Sequence, residues 1–297
     1  MAAIKNFVMK KSNLLILIAV FLFAAFTPAE SDKPAYLLYN QEGKTITYSE
    51  LLENILQNDL IFFGELHNNT IAHWLQIELV NDLAADTSRT THIGMEMFEA
   101  DQQILIDEYF AGLISQNSFE NEARLWSNYR TDYKPVVEFA RENGLKLIAT
   151  NIPRRYASSV FGGGLEVLET LSSQAKQYMA PLPIGVDVTL PSYKNIAEAA
   201  HGHGGDNLIY AQAVKDATMA HFILLNMRLD DRMFHLNGSY HSNDWEGIVW
   251  YINDAVSGYN IFTINTITVD DVFDVEHDDL QKADITLVVP STMTTTY

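Results

Sequence analysis

The chain has 297 residues, 47 % of them hydrophobic and 11 % aromatic, which is enough apolar material for one large core. Charged residues are 19 %, and the 8 prolines and 15 glycines are scattered, which excludes a disordered or fibrous chain. Nineteen Lys and Arg face 38 Asp and Glu, a net charge of −19, and such a surface repels nucleic acid and anionic membranes.

Residues 1–29 read as a secretory signal peptide. Lys5, Lys10 and Lys11 precede an apolar run from Leu14 to Phe26, and Thr27, Pro28 and Ala29 follow. The run is short for a bilayer span, which takes about 20 apolar residues. The expected product is exported, periplasmic or secreted. It has no cysteine, hence no lipobox acceptor and no disulfide. Residues 30–290 are expected to form one α/β domain, and 291–297 a polar, frayed tail.

Along that domain, short apolar runs predict strands at Leu60–Phe63, His92–Met97, Lys146–Thr150, Met233–Leu236, Ile261–Thr266 and Ile285–Val289. Helical patterns fall between them. Ile71, Leu75, Leu79 and Leu83 mark one stripe, and Asp101–Phe110, Lys134–Asn143, Leu165–Leu171, Asn207–Leu229 and Asp244–Ala255 give others. Gly185–Gly205, with weak periodicity, reads as an elaborated loop. The alternation predicts a largely parallel sheet with helices on both faces.

Gly64-Glu65-Leu66-His67 follows the first of these strands, and Gly238-Ser239-Tyr240-His241 follows the fourth. The same strand, G-x-x-H, helix order thus occurs in two halves of the chain. Ligands of open α/β sheets gather at the carboxyl ends of strands, so His67 and His241 are expected to share a crevice. Gly64 is expected to permit a tight exit from its strand. Glu65 and His67 alternate along an extended exit and face one side. Carboxylate beside imidazole suits proton transfer or metal ligation, although a helix cap and a polar turn explain the same residues. Glu96, inside the apolar run Gly94–Phe98, needs a buried partner or a function. With His67 and His241 it can complete a two-histidine, one-carboxylate site for a divalent metal.

From Arg124 to Arg155 the chain carries seven cations against three acids. Trp126, Tyr129, Tyr133 and Lys134 lie within this island, and Arg154 and Arg155 close it. Aromatics among cations suit a flat, apolar, anionic ligand, although core packing explains the aromatics equally. His73 reads as a solvated helix histidine, and His201 and His203 as polar loop residues or metal ligands.

Gly64–His67, Gly94–Phe98, Tyr133-Lys134-Pro135, Asn151–Arg154, Asp216–Ala220 and Gly238–His241 occur in one order, over roughly Asp59 to Val256. Together they resemble the ChaN-like (DUF399) haem-binding family, within the superfamily of the Tiki proteases and erythromycin esterase. The resemblance implies haem as cofactor, bound for iron uptake, with a haem donor or receptor at the cell envelope as expected partner; a flat haem face often sits at a subunit interface, which makes a homodimer a further expectation. It implies a crevice lined by Glu65, His67, Glu96 and His241, with Arg154 nearby. It further implies ligation by a tyrosine with histidine assistance, and leaves Tyr129, Tyr133 and Tyr240 as alternatives. A metal-dependent hydrolase, with Glu65, His67, Glu96 and His241 as its catalytic residues, is the second function the superfamily implies.

Overall fold

The computed structural model describes residues 32–199, 204–228 and 230–297. The signal-peptide expectation for 1–29, and His201 and His203, lie outside the described residues. Ala35–Tyr297 form one compact unit. No helix among the described residues is long and apolar enough to cross a membrane.

The strands are β1 (Leu37–Asn40), β2 (Thr45–Ile46), β3 (Leu60–Glu65), β4 (Thr90–Glu99), β5 (Lys146–Asn151), β6 (Asp231–Gly238), β7 (Ile261–Val269) and β8 (Ile285–Pro290). They form one sheet in the order β2-β1-β8-β7-β3-β6-β4-β5. The six strands from β8 to β5 are parallel, and β1 and β2 add an antiparallel hairpin at one edge. The expected α/β sheet, largely parallel and covered on both faces, is the fold observed.

The helices are α1 (Tyr48–Leu56), α2 (Thr70–Ala85), α3 (Gln103–Phe110), α4 (Gln116–Glu122), α5 (Lys134–Glu142), α6 (Arg154–Gly163), α7 (Pro191–Ala199), α8 (Asp206–Asn226), α9 (Ile248–Ala255) and α10 (His277–Leu280). Because strand side chains alternate, β3 serves both layers at once. Ile61 and Phe63 pack with Leu75 and Leu79 of α2 and Val136 and Val137 of α5. Leu60 and Phe62 pack on the other face with Met219 and Ile223 of α8 and Ile248 and Ile252 of α9.

Several expectations change. The helix expected at Asp244–Ala255 starts at Ile248, because Asp244, Trp245 and Gly247 all take positive φ values that a helix excludes. Leu165–Thr170 is 3₁₀ turn rather than α-helix, and the elaborated loop contains α7. The tail is not frayed: Thr295 bridges Asn69, and the Thr296 amide donates to the Asn68 carbonyl at 3.1 Å.

Candidate functional site

β3 and β6 are neighbours in register, with Gly64 opposite Asn237 and Glu65 opposite Gly238. The two G-x-x-H turns therefore leave the same end of the sheet side by side. Neither glycine takes the left-handed backbone, so the tight exit expected at Gly64 is not why they are there. Close approach is. A Cβ on Gly238 would stand 2.8 Å from Cε1 and Nε2 of His67, and one on Gly64 would stand 2.9 Å from the Ile264 carbonyl oxygen.

The first imidazole, His67, is 34 % exposed and turns Nδ1 to Glu65 at 2.9 Å. Glu65 is buried and fully engaged. It accepts from Tyr133 Oη at 2.6 Å and from Gln76 Nε2 at 2.6 Å, and His73 Nδ1 lies 3.5 Å away. Asn128 Nδ2 holds the His67 carbonyl at 2.8 Å, and an edge-on Trp126 ring lies 4.8 Å from the imidazole centroid. Burial pulls the His67 pKa down, but its bond to Glu65 and the charges of Glu96 and Glu65 outweigh this and leave it raised.

The second imidazole, His241, is buried. Its Nδ1 bonds Asp216 of α8, and its Nε2 lies 3.2 Å from Glu96 Oε1. Glu96 Oε2 accepts from the Gly238 amide at 2.7 Å, and Tyr193 Oη donates to Asp216 at 2.9 Å. Burial opposes charge on His241, yet Glu96 and Asp216 push its pKa up to about 10. Burial likewise disfavours a charged Glu96, but His241, His67 and the Gly238 amide hold it well below the usual carboxylate range. Asp216 is raised by burial despite its imidazole partner.

Both imidazoles open on one crevice of about 570 Å³, within the range of small-molecule sites. Trp126, Ile152, Ala157 and Ile196 give it apolar walls; Glu99, Arg154, Gln212, Lys215 and Tyr240 give it polar ones. β4 shifts register between Met95 and Glu99, the kind of bulge that re-aims side chains beside functional sites.

Of the three candidate tyrosines, Tyr240 lines this crevice and is 60 % exposed. Tyr129 and Tyr133 do not fit the expected ligating role. The segment Tyr129–Tyr133 forms a π turn, which buries the first ring against Phe98 and the second beneath His73 and Trp126. Burial pushes both phenol pKa values up, with Glu65 adding to the effect at Tyr133. His73 is also not the solvated residue expected; it is buried between Glu65 and Asp132.

The basic island divides. Arg124 and Arg155 bond Asp101, and Arg154 stands at the crevice with its Nε 4.0 Å from Glu99. Lys134 and Arg141 pair with Glu120 and Glu138 along α5, and Lys146 begins β5, at the opposite strand end. For a metal, His67, Glu96 and His241 are drawn together, but both nitrogens of His241 face carboxylates. No group of three ligating side chains among the described residues is arranged to hold an ion. Three residues were missed by sequence reasoning: Asp216 as the partner of His241, and Gln212 and Lys215 as crevice lining. For Asp216 the available signals were an acid among apolar residues and its place in the family-like stretch Asp216–Ala220.

A family model described as haem-binding uptake, Tiki superfamily, ChaN matches residues 51–252. A solved structure described as cofacial haem binding to ChaN of Campylobacter jejuni superposes with a TM-score of 0.63 at 20 % identity, over 86 % of this chain and 96 % of that one. At that identity the likeness establishes the fold. An erythromycin esterase superposes with a TM-score of 0.47 at 11 % identity, over 78 % of this chain and 77 % of its own. The chloroplastic protein RETICULATA-RELATED 5 of Arabidopsis thaliana is 24 % identical over 139 residues, 45 % of this chain, and the chain spans 19 % of that protein's length.

Proposed function

Because this chain belongs to the ChaN haem-binding uptake family of the Tiki superfamily, we propose that it binds haem in the crevice between its two G-x-x-H turns. The observation that carries this reading is Tyr240, an exposed phenol on the wall of a crevice that also presents Arg154, Lys215 and apolar walls. That donor set fits the group. Haem, when bound, supplies a ferric iron that accepts a tyrosine or histidine ligand. Tyr240 is the candidate ligand, with His67 as the more accessible imidazole. Trp126, Ile152, Ala157 and Ile196 remove an apolar body from water, and Arg154 and Lys215 offer charge to its carboxylates. Hemin titration of the purified protein is expected to give a saturable Soret shift, weakened at least about tenfold in Tyr240→Phe, roughly 1.4 kcal/mol. A flat titration of the unaltered protein overturns the proposal.

Export and a part in iron uptake extend the reading. They rest on Lys5, Lys10 and Lys11 ahead of Leu14–Phe26, and they call for a donor or receptor of haem at the cell envelope. Finding the full chain retained in the cytoplasmic fraction would remove them.

One observation favours hydrolysis as a second reading. Glu65 holds Nδ1 of His67, so Nε2 is directed towards Gly238 and the crevice, as an acid–base imidazole requires. Ester hydrolysis by the haem-free protein, lost in His67→Ala, tests it. The metal-dependent form of this reading needs a nitrogen of His241 that is now given to Glu96 and Asp216.

A further inference from the structure

Resting on the haem reading, we propose that the junction of β5 and α6 is a carboxylate-binding subsite. It is built from Asn151, Arg154 and the first turn of α6, and it takes the carboxylates of a planar anionic ligand whose apolar body fills the crevice.

The first observation is Asn151. Its side chain lines the crevice, the residue is 9 % exposed, and its Oδ1 is buried without a hydrogen-bond partner. A buried amide oxygen without a partner is costly. With Oδ1 turned inward, Nδ2 is the accessible end of the amide, and its N–H groups can donate to an anion in the crevice.

Two residues further on, α6 begins. Pro153 occupies its N-cap, where it has no side chain able to accept; the Tyr156 amide donates to the Pro153 carbonyl at 2.8 Å, and the ten-residue helix starts at Arg154 without a side-chain cap. An uncapped helix start presents backbone donors and the positive end of the helix dipole.

The local charges complete the case. Glu99 lies opposite Asn151 in the sheet, and its carboxylate is taken by Arg124, with Nε at 3.0 Å and Nη2 at 2.9 Å. Asp101 is taken by Arg155 at 2.6 Å and also by Arg124. Three guanidinium groups thus face two carboxylates. Arg154, 75 % exposed and 4.0 Å from Glu99, is the least committed of them. Glu96, the remaining carboxylate of the crevice, is neutralised by His241 and by the Gly238 amide. An acidic protein therefore keeps one excess cation beside an unpaired amide and an uncapped helix. That is the recognition chemistry of a carboxylate.

Iron-free protoporphyrin IX and its dimethyl ester separate this subsite from iron ligation. Their binding is followed by quenching of tryptophan fluorescence, in the unaltered protein and in Asn151→Leu, Arg154→Met and Arg154→Lys. The free acid is expected to bind at least about tenfold tighter than the ester, roughly 1.4 kcal/mol. Asn151→Leu and Arg154→Met are expected to bring that ratio towards one by weakening the acid alone, and Arg154→Lys to retain part of it. Equal affinity of acid and ester in the unaltered protein overturns the subsite, even where hemin still gives its Soret shift. A preference for the acid that survives both Asn151→Leu and Arg154→Met also overturns it. Conversely, discrimination between acid and ester without any Soret response to hemin supports the subsite and removes the haem reading.

Discussion

Two imidazoles leave adjacent strands with the same spacing, yet they stand in different surroundings. His241 is buried between Glu96 and Asp216, with both ring nitrogens committed. His67 commits one nitrogen to Glu65 and remains one-third exposed on the crevice. Two carboxylates around a buried ring make a cation that the fold must hold. One carboxylate behind a half-open ring orients an imidazole that a ligand can reach. The repeated motif thus serves structure on one side and access on the other.

The largest expected break in this comparison is Asp216→Ala. Removing one partner from a buried charged cluster costs about 3–5 kcal/mol, so the urea midpoint should fall steeply. A midpoint within experimental error of the unaltered protein would refute the structural role given to the His241 cluster.

pH sharpens the contrast next. His241 has a folded pKa raised to about 10, so the folded state holds a proton that the unfolded state releases above its ordinary value of about 6.5. Its contribution is fully present below that value and is lost as pH rises towards 10, with a slope of up to about 1.4 kcal/mol per pH unit. His235, buried beside Thr150 and Asn237, has the opposite sign. Burial lowers its pKa to about 4, so stability is lost as pH falls from about 6.5 to 4. Chemical denaturation across pH 4–10 should show both limbs, with Asp216→Ala flattening the alkaline one. An unchanged alkaline limb in that variant would contradict the assignment.

The smallest effect on stability is expected at His67. His67→Ala removes one of the hydrogen bonds to Glu65 while Tyr133 and Gln76 keep theirs, a cost of about 1 kcal/mol. Hemin binding should weaken by more than that. A variant that loses several kcal/mol of stability would place His67 with His241 and erase the distinction.

Much of this was legible in local pattern. Apolar runs such as Leu60–Phe63 and Met233–Leu236 must be buried, and helical stripes between them make parallel pairing the economical arrangement. The hairpin of β1 and β2 was not legible, because Thr45–Ile46 is too short to show an alternation. Tyr129 and Tyr133 misled for a physical reason. Four-residue spacing predicts a shared face on an α-helix, but the π turn sends one ring to Phe98 and the other to Glu65. The basic island misled similarly, since closeness in sequence placed Lys146 and Arg154 at opposite ends of one strand and its exit.

The sequence by itself determined the six parallel strands, the helices that pack between them and the two histidine-bearing exits, because hydrophobic periodicity and turn residues act over short stretches of chain. Tertiary structure alone decided that β6 inserts between β3 and β4, which brings Gly238 against His67 and Glu96 against His241. It also decided that Asp216, from α8, the helix just before β6 in the chain, supplies the second charge. Strand order and buried charge pairing depend on contacts between residues some 20 to 170 positions apart, and no local pattern encodes them.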